Sequence, residues 1–202
     1  IDNKIIKQLT AIVGKQHAST QKEDLLVFSH DATKQMVMPD IVIAPHSTVE
    51  ISAIMRIADE YQIPVYPRGA GSGLTGGSVP LLGGIVLNMV EMNNIIEVDE
   101  KNLIAVIEPG VVVADFQRHV EKLGLFYPPD PASNMMSTIG GNVAECSGGL
   151  RCVKYGVTRD YILGVDAVMP NGDIMNFGVR TVKGVTGYDI TRLLVGSEGT
   201  LA

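Results

Sequence analysis

The segment Pro67-Arg68-Gly69-Ala70-Gly71-Ser72-Gly73-Leu74-Thr75-Gly76-Gly77 constrains this chain more than any other, because it strips side chains from a loop directly behind a short apolar run. Bare backbone can curve around an anion: successive N–H groups point into one concavity, and glycine supplies the positive φ angles that the curvature needs. The first expectation is a cradle for a phosphate-bearing ligand.

The flanking residues separate this loop from better-known cradles. A P-loop needs Lys-Ser or Lys-Thr after its last glycine, whereas Gly77 is followed by Ser78-Val79-Pro80 with no lysine near. The letters of G-x-G-x-x-G occur at Gly71, Gly73 and Gly76, but that fingerprint works by aiming a helix N-terminus at a pyrophosphate. Pro80, Gly83 and Gly84 argue against a helix, and Gly84-Ile85-Val86-Leu87-Asn88-Met89 reads as a strand. The expected order is strand, glycine loop, strand. The competing reading is a flexible hairpin connection, which the seven glycines between Gly69 and Gly84 also suit.

Composition excludes several classes. With 202 residues, 46% of them hydrophobic, the chain can bury a core in one domain or two small subdomains. Its 16 Lys and Arg against 22 Asp and Glu give a net charge of −6 without a basic stripe, so no nucleic-acid partner is expected. No apolar run approaches the roughly 18 residues of a membrane span. Ile1-Asp2-Asn3-Lys4 has neither the basic start nor the apolar middle of a signal peptide. The expectation is a cytoplasmic chain with no transmembrane segment. Cys146 and Cys152 read as reduced thiols, and His17, His30, His46 and His119 are too scattered for ligand spacing, so no metal site is expected.

Along the chain, Ile5, Ile6, Leu9, Ile12 and Val13 follow helical spacing up to Gly14. Ile41-Val42-Ile43-Ala44 reads as a buried strand, Ser47-Thr48-Val49-Glu50 as a capping box, and Ile51, Ile54, Met55 and Ala58 as the apolar face of the next helix. Ile63-Pro64-Val65-Tyr66 then enters the glycine loop, completing a strand-helix-strand unit of the kind that makes parallel pairs. This puts the loop at the C-terminal end of a strand, where open α/β sheets commonly bind ligands. Strands at 95–98 and 103–107, a helix marked by Val113, Phe116, Val120 and Leu123 and ended by Gly124, and a hairpin turning at Pro170-Asn171-Gly172-Asp173 suggest a second subdomain. The chain stops at Gly196-Ser197-Glu198-Gly199-Thr200-Leu201-Ala202, where a glycine turn leads into an apolar segment, and reads as a piece of something longer.

A second field of small residues runs from Asp130-Pro131-Ala132-Ser133 through Ser137-Thr138-Ile139-Gly140-Gly141 and Ser147-Gly148-Gly149 to Lys154-Tyr155-Gly156. Small side chains admit a large flat ligand, and the Ser137 and Thr138 hydroxyls could serve its polar edge or sugar chain. The plainer reading is a glycine-rich surface loop. Two such fields suggest one extended ligand, such as a dinucleotide with a pyrophosphate in its middle and a ring system at one end.

The ordered motifs PRGAGSGLTGG, DPAS, STIGGNVAECSGGLRCVKYG, YILGVDAVMPNGDI and GSEGTL resemble the PCMH-type FAD-binding domain of the vanillyl-alcohol-oxidase superfamily, and within it the glycolate oxidase catalytic subunit and D-lactate dehydrogenase group. The resemblance implies an α+β fold: a small strand-helix-strand subdomain and a larger mixed or antiparallel sheet subdomain with flanking helices. It divides the chain into an N-terminal helical segment (1–38), a first subdomain with the pyrophosphate loop (39–95) and a second subdomain (96–202), the substrate domain lying beyond. It further implies FAD, with the pyrophosphate at Gly69, Ala70, Gly71, Ser72 and Gly73. Pro131, Ala132, Ser133, Thr138, Gly140, Gly141, Ser147, Gly148 and Gly149 would line the ribityl chain and ring, and Glu198 to Leu201 would close the site. Arg68 either adds charge near the phosphates or is an ordinary surface residue. The first loop has no histidine for covalent attachment of flavin, and Cys146 is the remaining candidate.

The implied reaction is oxidation of a small D-2-hydroxy acid, glycolate or D-lactate, by hydride transfer to flavin. Its electrons would pass to an iron-sulfur subunit or an electron-transfer flavoprotein. No catalytic residue is assigned within this chain. Two alternatives stay open: the FAD domain of a sugar-nucleotide reductase or ether-lipid synthase type of enzyme, and a nucleotide-binding module without redox work.

Overall fold

Residues 1–202 are described by a computed structural model. The first helix, α1 (Asn3–Val13), starts where the Asp2 carboxylate accepts a hydrogen bond from the Lys4 N–H and stops at Gly14. It is followed by β1 (Ala18–Ser19), α2 (Lys22–Val27), β2 (Ile41–Ile43), α3 (Thr48–Glu60), β3 (Val65–Arg68) and β4 (Ile85–Asn88). Ser47 caps α3 as the sequence suggests, its hydroxyl accepting from the Glu50 N–H at 3.2 Å. The reciprocal bond is displaced by one residue: the Glu50 carboxylate accepts from the His46 N–H at 2.6 Å, not from Ser47.

These strands form one sheet in the order β1-β2-β4-β3, with β2, β4 and β3 parallel and β1 antiparallel on the edge. The strand-helix-strand segment therefore does not pair its own two strands; β4 enters between them. Its place is set by Gly84, which has φ +87° and lies so close to the Pro64 carbonyl that a Cβ there would come within 2.3 Å of the oxygen. Asp40 fastens the same point, its carboxylate accepting from the Gly84 N–H at 2.7 Å. The strand before the glycine loop begins two residues later than expected, at Val65, and runs on to Arg68. Because β3 and β4 are parallel, the intervening loop is not a hairpin turn. It leaves the C-terminal end of β3 and returns to the other end of the sheet, where β4 begins beside β3.

Leu9 and Val13 of α1, Ile41 and Ile43 of β2, Ile54 and Ala58 of α3, and Ile85 and Leu87 of β4 close the first core. Each Leu or Ile fully buried there contributes about 1.5–3 kcal/mol, and α1 and α3 each supply one, Leu9 and Ile54.

The second half adds β5 (Ile95–Asp99) and β6 (Ile104–Ile107), an antiparallel hairpin, then α4 (Val113–Glu121), α5 (Ile139–Glu145), α6 (Cys152–Tyr155), the hairpin β7 (Gly164–Val168) and β8 (Ile174–Gly178), and α7 (Ile190–Leu194). The architecture is α+β, as expected, with the strands of the second half grouped in two separate antiparallel hairpins. Val111, Val113, Phe116, Val120 and Ile139 form a second core beneath β5 and β6. The β7–β8 turn reaches back to the first half, where the Ser52 hydroxyl on α3 donates to the Gly172 carbonyl. No helix is long and apolar enough to cross a membrane.

Candidate functional site

The glycine loop keeps its backbone donors free. From Ala70 through Gly76 no N–H group donates a hydrogen bond within the protein, so every donor of the loop is open to a ligand. Gly71 has φ +66°, and a Cβ there would come within 2.2 Å of Arg68 Nη2, so the loop can pass over the arginine only as glycine.

Arg68, the last residue of β3, is 7% exposed. Its Nη1 donates to the His30 carbonyl at 2.6 Å, and its guanidinium lies 5.6 Å from the centre of the Phe28 ring. That is its one hydrogen bond, although a guanidinium carries five donors. Burial lowers its pKa, and the Asp31 carboxylate opposes the shift. A buried cation with unused N–H groups under an unpaired backbone loop is suited to an anion. The reading of Arg68 as an ordinary surface residue is thus corrected: tertiary burial puts it inside.

The second field closes on the first. A Cβ on Gly69 would come within 2.4 Å of Thr138 Oγ1, and one on Gly73 within 2.4 Å of Glu145 Oε1. A Cβ on Gly77 would come within 2.7 Å of Glu198 Oε2. The Thr75 hydroxyl stands between the two carboxylates, 2.7 Å from Glu198 Oε2 and 3.3 Å from Glu145 Oε1. Burial raises the Glu145 pKa, the Glu198 and Asp31 charges add to this, and the Thr75 hydrogen bond opposes it.

An open cleft of about 500 Å³ lies between the fields, lined by Arg68, Ala70, Gly71, Ser72, Ala132 and Ser133 together with His30, Asp31, Ala32 and Met136. A second cleft of about 530 Å³ shares Met136 with it and is bounded by Thr138, by residues 110–112 and by the turn after β4. Both volumes are in the range of small-molecule and cofactor sites.

Several residues anticipated from the sequence also make contacts within the protein. Thr138 caps α5, its hydroxyl accepting from the Gly141 N–H at 3.2 Å. Gly140 packs on Pro109 and donates to its carbonyl at 2.7 Å. Pro131 accepts from the Asn134 N–H, closing the turn that presents Ala132 and Ser133. Gly149 touches the Asp130 backbone, while the Ser147 N–H donates to Asn142 and its carbonyl accepts from Thr158. Gly148 and Gly149 keep unpaired N–H groups. Gly140, Gly141, Ser147, Gly148, Gly149 and Leu201 line neither cleft. The Ser137 hydroxyl is buried without a hydrogen-bond partner and lines neither cleft. Cys146, at φ +50°, ends α5 and also lies outside both clefts.

The contribution of His30, Asp31 and Ala32 was not legible from the sequence. Its one local sign is Asp31-Ala32-Thr33, where the Asp31 carboxylate accepts from the Thr33 N–H at 2.8 Å to make a tight turn.

Comparison with known proteins places this geometry. Residues 39–178 match the family described as FAD binding domain, and the chain belongs to that family. Glycolate oxidase subunit GlcD of Bacillus subtilis is 52% identical over 202 residues, all of this chain and 43% of that protein. D-lactate dehydrogenase of Anaerostipes hadrus is 42% identical over 176 residues, 86% of this chain and 37% of that protein. The chain thus spans about two fifths of these relatives' length. A crystal structure of alkyldihydroxyacetonephosphate synthase superposes with TM-score 0.86 at 25% identity, covering 99% of this chain and 37% of the other. Substrate-bound p-cresol methylhydroxylase superposes with TM-score 0.76 at 21% identity, covering 98% and 39%. The fold is therefore that of PCMH-type FAD-binding domains.

Proposed function

We propose that this chain is the cofactor-holding part of an FAD-dependent oxidoreductase acting on a small D-2-hydroxy acid of the glycolate or D-lactate type. The observation that carries the reading is the run of unpaired N–H groups from Ala70 to Gly76 above the buried, under-bonded Arg68. Those donors suit the pyrophosphate, in the company of Gly69 and Ser72. Ala132 and Ser133, across the cleft, leave room for the sugar chain and ring, and Thr138 lines the adjoining cleft. The substrate class is supported by the identity of 52% to the glycolate oxidase subunit and 42% to the D-lactate dehydrogenase.

When bound, FAD supplies the acceptor for the hydride that leaves the α-carbon of the hydroxy acid. This chain's part is to bind and orient: unpaired backbone dipoles and the Arg68 charge hold the anionic link, and the closely packed glycines fix the distance between the fields. The hydroxyl proton of the substrate goes to a base outside residues 1–202, so the chain alone binds cofactor without turnover. Residues 39–95 and 96–202 form the two halves around the cofactor, with the N-terminal helical segment 1–38 packed on the first and lending His30, Asp31 and Ala32 to the cleft. The electrons leave to an iron-sulfur subunit or an electron-transfer flavoprotein.

The test has two stages. Purified protein should carry visible flavin absorbance or take up FAD with a rise in melting temperature, about 2.7 kcal/mol of stabilisation at a hundredfold excess over Kd. In the longer protein, glycolate or D-lactate added without oxygen should bleach that absorbance. A flavin that binds but is bleached by neither acid overturns the substrate assignment.

A further inference from the structure

Glu145 and Glu198 converge on a single hydroxyl, that of Thr75, at 3.3 and 2.7 Å. One hydroxyl carries one proton and can serve one carboxylate at a time. No other side chain or backbone N–H of the protein donates to the second carboxylate, and neither glutamate takes part in any of the molecule's ion pairs. Both are pressed against the backbone of the anion loop, Glu145 under Gly73 and Glu198 under Gly77. The other charge that bears on Glu145 is Asp31, also negative. Arg68, the cation of the cleft, is bonded to the His30 carbonyl and pairs with neither glutamate. Its unused donors, on a side chain more than nine-tenths buried, independently mark the cleft for an anion.

These facts conflict if every group is ionised. An incoming pyrophosphate would place further negative charge beside two carboxylates that already share one donor. The pyrophosphate of FAD stays fully ionised near neutral pH and cannot relieve the conflict by protonation. We propose that the Glu145–Thr75–Glu198 cluster takes up one proton as the phosphate-bearing cofactor enters the loop, so that FAD binds together with H⁺. The proton bonds to a carboxylate oxygen and comes from solvent; no other bond changes. The proposal rests on the assignment of the pyrophosphate to this loop. The raised pKa of Glu145 in the free protein agrees with it, since the group is already biased toward its neutral form.

The sign follows from linkage: a site that binds a proton more tightly in the complex weakens the complex as pH rises, by up to tenfold in Kd per pH unit for one proton. The experiment is isothermal titration of cofactor-free protein with FAD, at several pH values and in buffers of differing ionisation enthalpy. Wild type should show net proton uptake and a Kd that rises with pH. Glu145→Gln, which keeps the shape and removes the titrating group, should bind with a nearly constant Kd and at least as tightly as wild type at the alkaline end. Glu198→Gln should behave likewise, and circular dichroism and melting temperature establish that both variants are folded. Wild-type binding without proton uptake, or Glu145→Gln and Glu198→Gln both retaining the full slope, overturns the proposal. If wild type binds no FAD, the loop assignment itself falls, and the proposal with it.

Discussion

Gly69 lies against Thr138: a Cβ on the glycine would come within 2.4 Å of the threonine hydroxyl oxygen, although the two residues belong to different halves of the chain. The contact makes the first glycine of the loop a spacer between β3 and the start of α5. Gly69→Ala should push the halves apart, costing about 1–3 kcal/mol and weakening FAD binding. Thr138→Ala removes the obstacle but also the α5 cap, at a cost of about 1 kcal/mol. In the double variant the two losses should therefore sum to less than their separate values, a coupling that denaturant melts of all four proteins would measure.

Arg68 provides the second prediction. Arg68→Met keeps the bulk beneath Gly71 and removes the charge, so FAD affinity should fall by about 1.5–3 kcal/mol, the worth of a hydrogen bond to a charged group. Arg68→Lys should recover part of the loss, because an ammonium keeps the charge without the planar fork. Calorimetric Kd values for the three proteins decide this; equal affinities would remove Arg68 from the site.

Tyr127 packs edge-on against Phe116 at 5.1 Å and Tyr161 at 5.9 Å, and its hydroxyl is buried without a partner. Burial pushes its pKa up to about 12 from the ordinary 10.0. The folded state thus favours the neutral phenol more than the unfolded state does. That contribution is fully present below the unfolded pKa and disappears as pH rises through the folded one. Tyr127→Phe should abolish this alkaline loss. Near neutral pH it should change stability by less than about 1 kcal/mol, because the lost hydroxyl leaves no bonded group behind. Urea melts across the alkaline range test both statements.

Cys146 holds φ +50° at the end of α5. A left-handed conformation costs a residue with a Cβ about 1–2 kcal/mol, and asparagine and glycine tolerate it better. Cys146→Asn or Cys146→Gly should raise the melting temperature. Since Cys146 lines neither cleft, denaturing the flavin-loaded protein should release all of its colour. Colour retained on the chain would contradict this placement.

What the sequence by itself determined was local. Helical spacing and Gly14 delimit α1, Ser47 starts α3, Asn171-Gly172 turns the last hairpin, and the residues after Gly77 rule out a helix at the loop. Each depends on the backbone preferences of a few neighbouring residues, which are written into the chain itself. Short-range signals also misled: Gly140 and Gly141 concealed α5, which forms because Thr138 caps it and Pro109 packs against it.

Tertiary structure alone decided the rest. The insertion of β4 between β2 and β3, the burial of Arg68, the entry of His30 and Asp31 into the cleft and the meeting of Glu145 with Glu198 join residues far apart in the chain. Such contacts depend on which apolar faces share a core and how closely glycine backbones let them approach. Neither quantity has a local signature along the sequence.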